Sequence, residues 1–212
     1  MATASYLSGR RRYGRPQAML WADNPGTTTE SGLYVPLGYE IGADVSSEPD
    51  SSLYDQFIIL SDHNRTPLDM SITRIENKQR MVNGRMRSHH IADKLTISAS
   101  WDNLPSRSYS ASPEFDPATG KSPSYKTRNE EFTADGGAGG VEMLEWYENH
   151  TGSFWVYLAY DKYNNFELDE YTKLGQYNEV IEVFFSDFKY AVSSRGQNNH
   201  DLWNISVMLE EV

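Results

Sequence analysis

One short run in the middle of the chain has the residue types of a phosphate-binding loop. Thr119-Gly120-Lys121-Ser122 matches the last part of that loop, in which backbone N–H groups and a lysine bind phosphate. The complete motif also needs a glycine at position 115, which is Phe in this chain. Pro113 and Pro117 flank that position and no predicted strand precedes it, so the sequence does not indicate a nucleotide site.

The histidines and acidic residues form no catalytic or metal-binding signature. His89 and His90 are adjacent, and neighbouring residues of a strand point to opposite faces, so the two side chains do not easily share a metal ion. The chain has no His-Glu-x-x-His pattern, no Gly-x-Ser-x-Gly elbow and no cysteine. We therefore expect no catalytic residue, no metal site and no cofactor, and the chain is not predicted to be an enzyme. Thirty acidic residues always offer carboxylate pairs, so a hydrolase stays a distant alternative.

Four aromatic residues allow a second kind of chemistry. Trp146, Tyr147, Trp155 and Tyr157 lie close together in the sequence and could line a sugar-binding groove. The same residue types more often belong to the core of a sheet. A carbohydrate-binding module therefore remains the alternative to a structural role.

Length and composition limit the class of protein. The chain has 212 residues, 30 acidic against 19 basic residues, and a formal net charge of −11. This balance argues against a generally basic nucleic-acid-binding protein. The mean hydropathy is −0.64, and no apolar run approaches the roughly 20 residues that span a bilayer. We expect one domain over residues 1–212, no membrane partner and no N-terminal targeting signal.

The elements that must position any site are mostly strands. Residues 68–75 and 95–101 alternate between apolar and polar side chains, which predicts two half-buried strands. Asn83-Gly84 lies between them and predicts a type I′ hairpin turn. Residues 68–101 are therefore predicted to form a long basic hairpin arm that follows an N-terminal segment, residues 1–67.

Residues 102–140 have the composition of a long loop, with four prolines and a Gly-rich end over 136–140 that indicates a hinge or a tight loop. Residues 141–150 predict a short helix. Residues 154–160 read as a buried strand, and 179–192 as one long strand or two strands with a bulge. Residues 202–209 alternate cleanly and form an antiparallel hairpin with the preceding strand.

The predicted fold class is mainly β (α+β), an antiparallel β-sandwich or barrel with one short helix, the arm and the long loop. The helix and the core sheet occupy residues 141–212. The predicted core residues are Trp101, Trp155, Trp203, Ile205 and Val207.

Charge is distributed unevenly along the chain. Residues 70–107 hold seven bases and three acids, whereas residues 129–212 hold sixteen acids and four bases. Opposite charges on one chain can meet within the fold or between copies in an assembly. The predicted interface residues are the arginines of the N-terminal segment and of the arm: Arg10, Arg11, Arg12, Arg15, Arg80, Arg85 and Arg87.

Three segments together resemble tail proteins of double-stranded DNA bacteriophages, of the type that builds the tail tube or the hub between tube and baseplate. They are the N-terminal segment, ITRIENKQRMVNGRMRSHHIADKLTISASWDNLPSR, and the C-terminal stretch from FWVYLAYDKYNNFE to LWNISVMLEEV. The resemblance covers about two-thirds of the chain and rests on strand texture and the terminal hairpin, not on a short motif.

The resemblance implies a non-enzymatic virion protein that assembles with copies of itself, as a hexamer, into a ring of the tail. Its other partners would be further tail or baseplate proteins, and genomic DNA would pass through the lumen without specific binding. The protein would be assembled in the host cytoplasm and located in the virion tail. Met70–Trp101 would be the arm, Pro105–Gly140 a loop that reaches a neighbour, and residues 154–209 the core sheet.

Overall fold

The structure of the protein is a computed structural model. The structure describes residues 17–28, 32–36, 57–108, 132–135, 137–160, 177–195 and 200–212. The strands are β1 (Met19–Ala22), β2 (Thr27–Thr28), β3 (Tyr34–Val35), β4 (Phe57–Ile59), β5 (Asp69–Arg80), β6 (Met86–Pro105), β7 (Phe154–Leu158), β8 (Glu179–Arg195) and β9 (Asp201–Glu211). The helix α1 spans Gly140–Asn149.

Seven of these strands form one antiparallel sheet in the order β4-β1-β7-β8-β9-β6-β5, and β2 pairs with β3 in a separate ribbon. The prediction of a mainly-β antiparallel fold with one short helix is confirmed. Among the described residues, the predicted sandwich or barrel takes the form of this single large sheet with a hydrophobic cluster on each face.

The alternation of side chains explains the two clusters. In β1, Met19 and Trp21 belong to the larger cluster, whereas Leu20 and Ala22 belong to the smaller one. Successive residues of a strand point to opposite faces, so both faces of the sheet are buried at β1. The larger cluster continues across β6 and β9 and is covered by α1 through Met143 and Trp146.

The predicted elements of the C-terminal part are present with small shifts of their ends. β8 is one strand with two irregularities in its pairing to β9, between Phe185 and Asp187 and between Val192 and Ser194. In β9, Trp203, Ile205 and Val207 are buried and the residues between them are exposed. The terminal antiparallel hairpin is thus confirmed.

In the described part of the Gly-rich run before α1, Gly137 and Gly139 are closely packed. A Cβ at Gly137 would lie 2.5 Å from Ser61 Cα, and a Cβ at Gly139 would lie 2.6 Å from the Pro105 carbonyl oxygen. Glycine is required here because backbone approaches backbone. Of the two predictions for this run, the tight loop describes it and the hinge does not. No described helix is long and apolar enough to cross a membrane.

Candidate functional site: a basic arm, free sheet edges and an aromatic row

The hairpin of β5 and β6 is closed by a turn around Asn83-Gly84, at the predicted place but of another type. The Gly84 N–H donates to the Met81 carbonyl (2.8 Å), and the Met81 N–H donates to the Arg85 carbonyl (2.8 Å). Gly84 has φ +77° and Asn83 does not have a positive φ. The predicted type I′ turn, which needs two positive φ angles, is therefore wrong. A three-residue loop with one left-handed glycine takes its place.

The predicted arm, residues 68–101, lies partly within the main sheet, because β9 pairs with β6 from Thr96 onward. Only residues 73–94 extend beyond the main sheet, and from here on these residues are called the arm. β9 pairs with β6 from Pro105 to Thr96 only, while β6 continues back to Met86 with β5 as its sole partner among the described strands. Eight or nine residues at about 3.3 Å each carry the arm roughly 27 Å past the end of β9. Nearly all of its residues are exposed.

The two acidic residues of the arm are neutralised within it. Arg74 donates to both carboxylate oxygens of Asp93 (3.0 and 3.4 Å), and His90 contacts the same carboxylate. The Arg74 hydrogen bond and then that of His90 hold the pKa of Asp93 below its ordinary value. Hydrogen bonds from Lys78 and then Ser88 lower the pKa of Glu76 in the same way. Both carboxylates therefore stay ionised and paired.

The arm tip, residues 80–87, keeps its positive charge. Arg80, Arg85 and Arg87 form no ion pair with any described residue. The large apolar side chains of the tip are also exposed, and the list is Met81, Val82 and Met86. The tip is therefore both cationic and apolar, a composition found at contact surfaces more than at inert solvated loops.

Two long strand edges lack a partner in the described part of the chain. β5 is the last strand of the sheet and pairs only with β6. β7 pairs with β8 only as far as Val183, so residues 184–195 of β8 are paired on the β9 side alone. Such edges present unsatisfied N–H and C=O groups that readily pair with another strand.

Three aromatic rings on the sheet face under α1 and one ring of α1 itself form a row, here called the aromatic row. Tyr147 stacks on Phe188 with ring centroids 4.6 Å apart, and Tyr190 stacks on Trp203 at 5.2 Å. Phe188 and Tyr190 are 6.4 Å apart and join the two pairs. Tyr147, Tyr190 and the adjoining Val192 are exposed, so the row is open to solvent along one side.

The predicted interface arginines divide into two groups. Arg80, Arg85 and Arg87 lie together at the arm tip. The four arginines of the N-terminal segment, Arg10, Arg11, Arg12 and Arg15, lie outside the described residues. The structure therefore locates a basic surface only on the arm.

The predicted core residues are buried with one partial exception. Trp101, Ile205 and Val207 are almost fully buried, and Trp203 is 9% exposed. The Trp101 indole N–H donates to the Ser61 carbonyl at 2.7 Å. Trp155 is only partly buried and packs at the rim of the smaller cluster, because β7 directs it to the face opposite α1.

The four aromatic residues considered for a sugar groove do not share a surface. Trp146 and Tyr157 are buried in the two different clusters, Trp155 is half-buried, and Tyr147 alone is exposed. Trp155 and Tyr157 are two residues apart in β7 and lie on the sheet face of the smaller cluster. Trp146 and Tyr147 belong to α1, which packs on the other face. A groove built from this set is therefore wrong.

Two of the single histidines hold loops in place. His63 Nδ1 accepts a hydrogen bond from the Ala134 N–H at 2.9 Å. His150 contacts the Trp146 carbonyl through Nδ1 (2.8 Å) and the Asp23 carboxylate through Nε2 (2.5 Å), which ties the end of α1 to the end of β1. In the described ranges no three metal-ligating side chains gather at one place.

Sequence reasoning missed the apolar half of the arm tip and the aromatic row. A pair of apolar residues directly before an Asn-Gly turn, Met81 and Val82, was the available signal, since turn residues are usually polar. Tyr190 and Val192 carried none. Their alternation is that of core residues, and only the position of α1 leaves them uncovered.

No protein-family model and no curated protein sequence matches the chain. Among solved structures, the chain is similar to one described as the tail of an empty GTA particle, computed with helical refinement and C6 symmetry. The two share 9% sequence identity over 74% of this chain and 82% of that chain, with a TM-score of 0.33. A likeness at this level supports no conclusion about the function of this chain.

Proposed function

We propose that the chain is a non-enzymatic structural subunit of a phage-type tail, which assembles with copies of itself into a ring of the tube or of the tube–baseplate hub. The arm is the observation that carries this proposal. An isolated two-stranded ribbon is at best marginally stable in water, and residues 73–94 have no described element packed on either face. A second protein surface would supply the missing contacts.

The free edges of β5 and β8 support a ring in particular. A ring of identical subunits needs two different complementary surfaces on each copy. If β5 of one copy pairs with residues 184–195 of β8 in the next, the sheet continues from subunit to subunit. Both edges would then be closed, and neither would be left to pair without control.

The sheet face opposite α1 suits a conduit for DNA. Glu182, Asp187 and Glu210 belong to this face of β8 and β9, where Lys189 pairs with Asp187. The serines of β6 and β9 on the same face, Ser98, Ser100 and Ser206, are small and polar. Phe184 and Met208 are also exposed on this face. Its three acids against one base would repel phosphates and let DNA pass without specific binding.

Electron microscopy and light scattering of the purified protein test the proposal. We expect rings or short tubes with a central hole, a mass that is a whole multiple of 24.2 kDa, and no binding of double-stranded DNA at physiological salt. Mass spectrometry of purified particles should detect the chain in the tail fraction. A protein that stays monomeric when concentrated and is missing from such particles would refute the tail assignment.

A further inference from the structure

We propose that the arm tip of one copy docks on the aromatic row of another copy, and so joins successive copies head to tail. The inference rests on the proposed self-assembly and adds the pair of surfaces that would make contact. The tip offers three arginines and three apolar side chains without described partners. The row offers exposed faces of Tyr147 and Tyr190, with Val192 beside them.

The two surfaces cannot meet within one chain. The arm projects beyond the C-terminal end of β9, whereas Tyr190 and Val192 lie opposite Ile205 and Trp203, near the start of β9. Eight strand residues separate Trp203 from Glu211, and about as many separate Lys94 from Met86. At about 3.3 Å per residue the tip and the row are roughly 50 Å apart. The tip therefore reaches the row only in a second copy.

The chemistry of the two surfaces is complementary. Guanidinium groups bind the faces of aromatic rings through cation–π attraction, and methionine side chains pack well against the same rings. The helix beside the row is acidic at its surface: Glu145 and Glu148 of α1 are not buried, and α1 has no basic residue. Glu148 follows Tyr147 directly and is exposed. A basic, methionine-containing tip matches this surface in charge and in side-chain chemistry.

The placement of the surfaces at opposite ends of the sheet defines the type of contact. Tip-to-row docking uses a different surface on each partner, so the contact is heterologous and leaves a free tip and a free row at the two ends. It runs along the strands, whereas pairing of the β5 and β8 edges runs across them. The two contacts are therefore compatible: one would close a ring and the other would connect one layer to the next.

Directed crosslinking tests the docking, because the natural chain contains no cysteine. One preparation carries Val82→Cys at the tip, and a second, mass-tagged preparation carries Val192→Cys beside the row. The two are mixed under assembly conditions and treated with a short bis-maleimide crosslinker. We expect a heterodimer of one tagged and one untagged chain on a denaturing gel.

Met208→Cys in place of Val192→Cys is the matched control. Met208 is 40% exposed against 49% for Val192, but β9 directs it to the opposite face of the sheet. Heterodimer with Val192→Cys well above the Met208→Cys level supports the docking. Equal yields, or no heterodimer from protein that forms rings, would overturn the docking and leave the ring proposal standing. Failure of the unmodified chain to associate at all would refute both.

Charge reversal gives an independent readout. Arg85→Glu with Arg87→Glu should raise the dissociation constant of layer-to-layer association about tenfold, the loss expected for two cation–π or surface ion contacts. Lys189→Glu, which changes a basic residue on the other face of β8, should leave it unchanged. If the double reversal abolishes sedimentation with phosphatidylserine vesicles and leaves association intact, the tip binds a lipid surface and the docking is wrong.

Discussion

Replacement of Gly140 by alanine sets two effects of opposite sign against each other. Alanine favours a helix over glycine by up to about 1 kcal/mol, and Gly140 is the first residue of α1. A Cβ at this position would, however, lie 2.7 Å from Trp203 Cε3 and 3.0 Å from Trp203 Cδ2. Carbon atoms that are not bonded do not approach so closely, so the indole or the helix must move.

The indole of Trp203 is packed on its other side as well. It is 9% exposed, and Tyr190 stacks on it with a centroid distance of 5.2 Å. The added Cβ would also lie 3.3 Å from Ile205 Cδ1. Overpacking of a core in this way costs about 1–3 kcal/mol. Steric conflict exceeds the gain in helix propensity, and the expected net loss of stability is about 1–2 kcal/mol.

Urea unfolding followed by tryptophan fluorescence measures this loss, and a thermal scan should show a melting temperature lower by roughly 2–4 °C per kcal/mol. Gly152→Ala is the matched control, because a Cβ there has no atom within 4 Å. Its stability should change by no more than about 0.5 kcal/mol. A Gly140→Ala protein as stable as the wild type would show that α1 does not begin on Trp203, and the position of the helix over the aromatic row would then be wrong.

Three further predictions concern buried groups. Trp203→Ala should lower the free energy of unfolding by about 3–5 kcal/mol in the same urea assay; a stable variant would contradict the burial of that face of β9. Tyr177 is fully buried and its hydroxyl bonds to no described atom, and burial raises its pKa. Tyr177→Phe should therefore leave the absorbance step at 295 nm near pH 10 unchanged in folded protein, and loss of one tyrosine from that step would contradict the burial. Burial likewise raises the pKa of Glu142 above its ordinary 4.5, so the stability that its protonation provides is complete below about pH 4.5 and is lost as the pH rises through the raised value. Unfolding at several pH values should show Glu142→Gln gaining stability relative to the wild type as the pH increases from about 4, and a constant difference would contradict this linkage.

The sequence predicts local elements well where the pattern is complete within one element. The strict alternation of residues 202–209 defines both β9 and its buried side. The predicted helix 141–150 differs from α1 by one residue at each end. In these segments the positions of the apolar residues identify both the type of element and its buried face. A single sequence is therefore sufficient to predict both.

The sequence does not show which apolar strand faces have no other element packed on them. Met70 and Ile72 alternate like core residues and lie opposite Ile97 and Leu95, yet Ile72 is 71% exposed because β5 is the last strand of the sheet. The same holds for Tyr190, which α1 leaves uncovered. Coverage depends on contacts between distant segments, and a single chain leaves open which of its apolar faces pack internally and which await another copy.

The arm also shows why its exposed residues indicate a partner and not only loose packing. Its two carboxylates are neutralised by Arg74 and Lys78 within the ribbon, while the three arginines at the tip form no ion pair with the described residues. A solvated loop of an acidic protein would gain solubility from acidic residues, not from exposed Met81 and Val82 beside arginines. Exposed apolar surface is an aggregation hazard unless a specific contact covers it. A head-to-tail contact on the aromatic row would cover the tip in every copy except the last, and it would limit exposure of the tip to the growing end of the assembly.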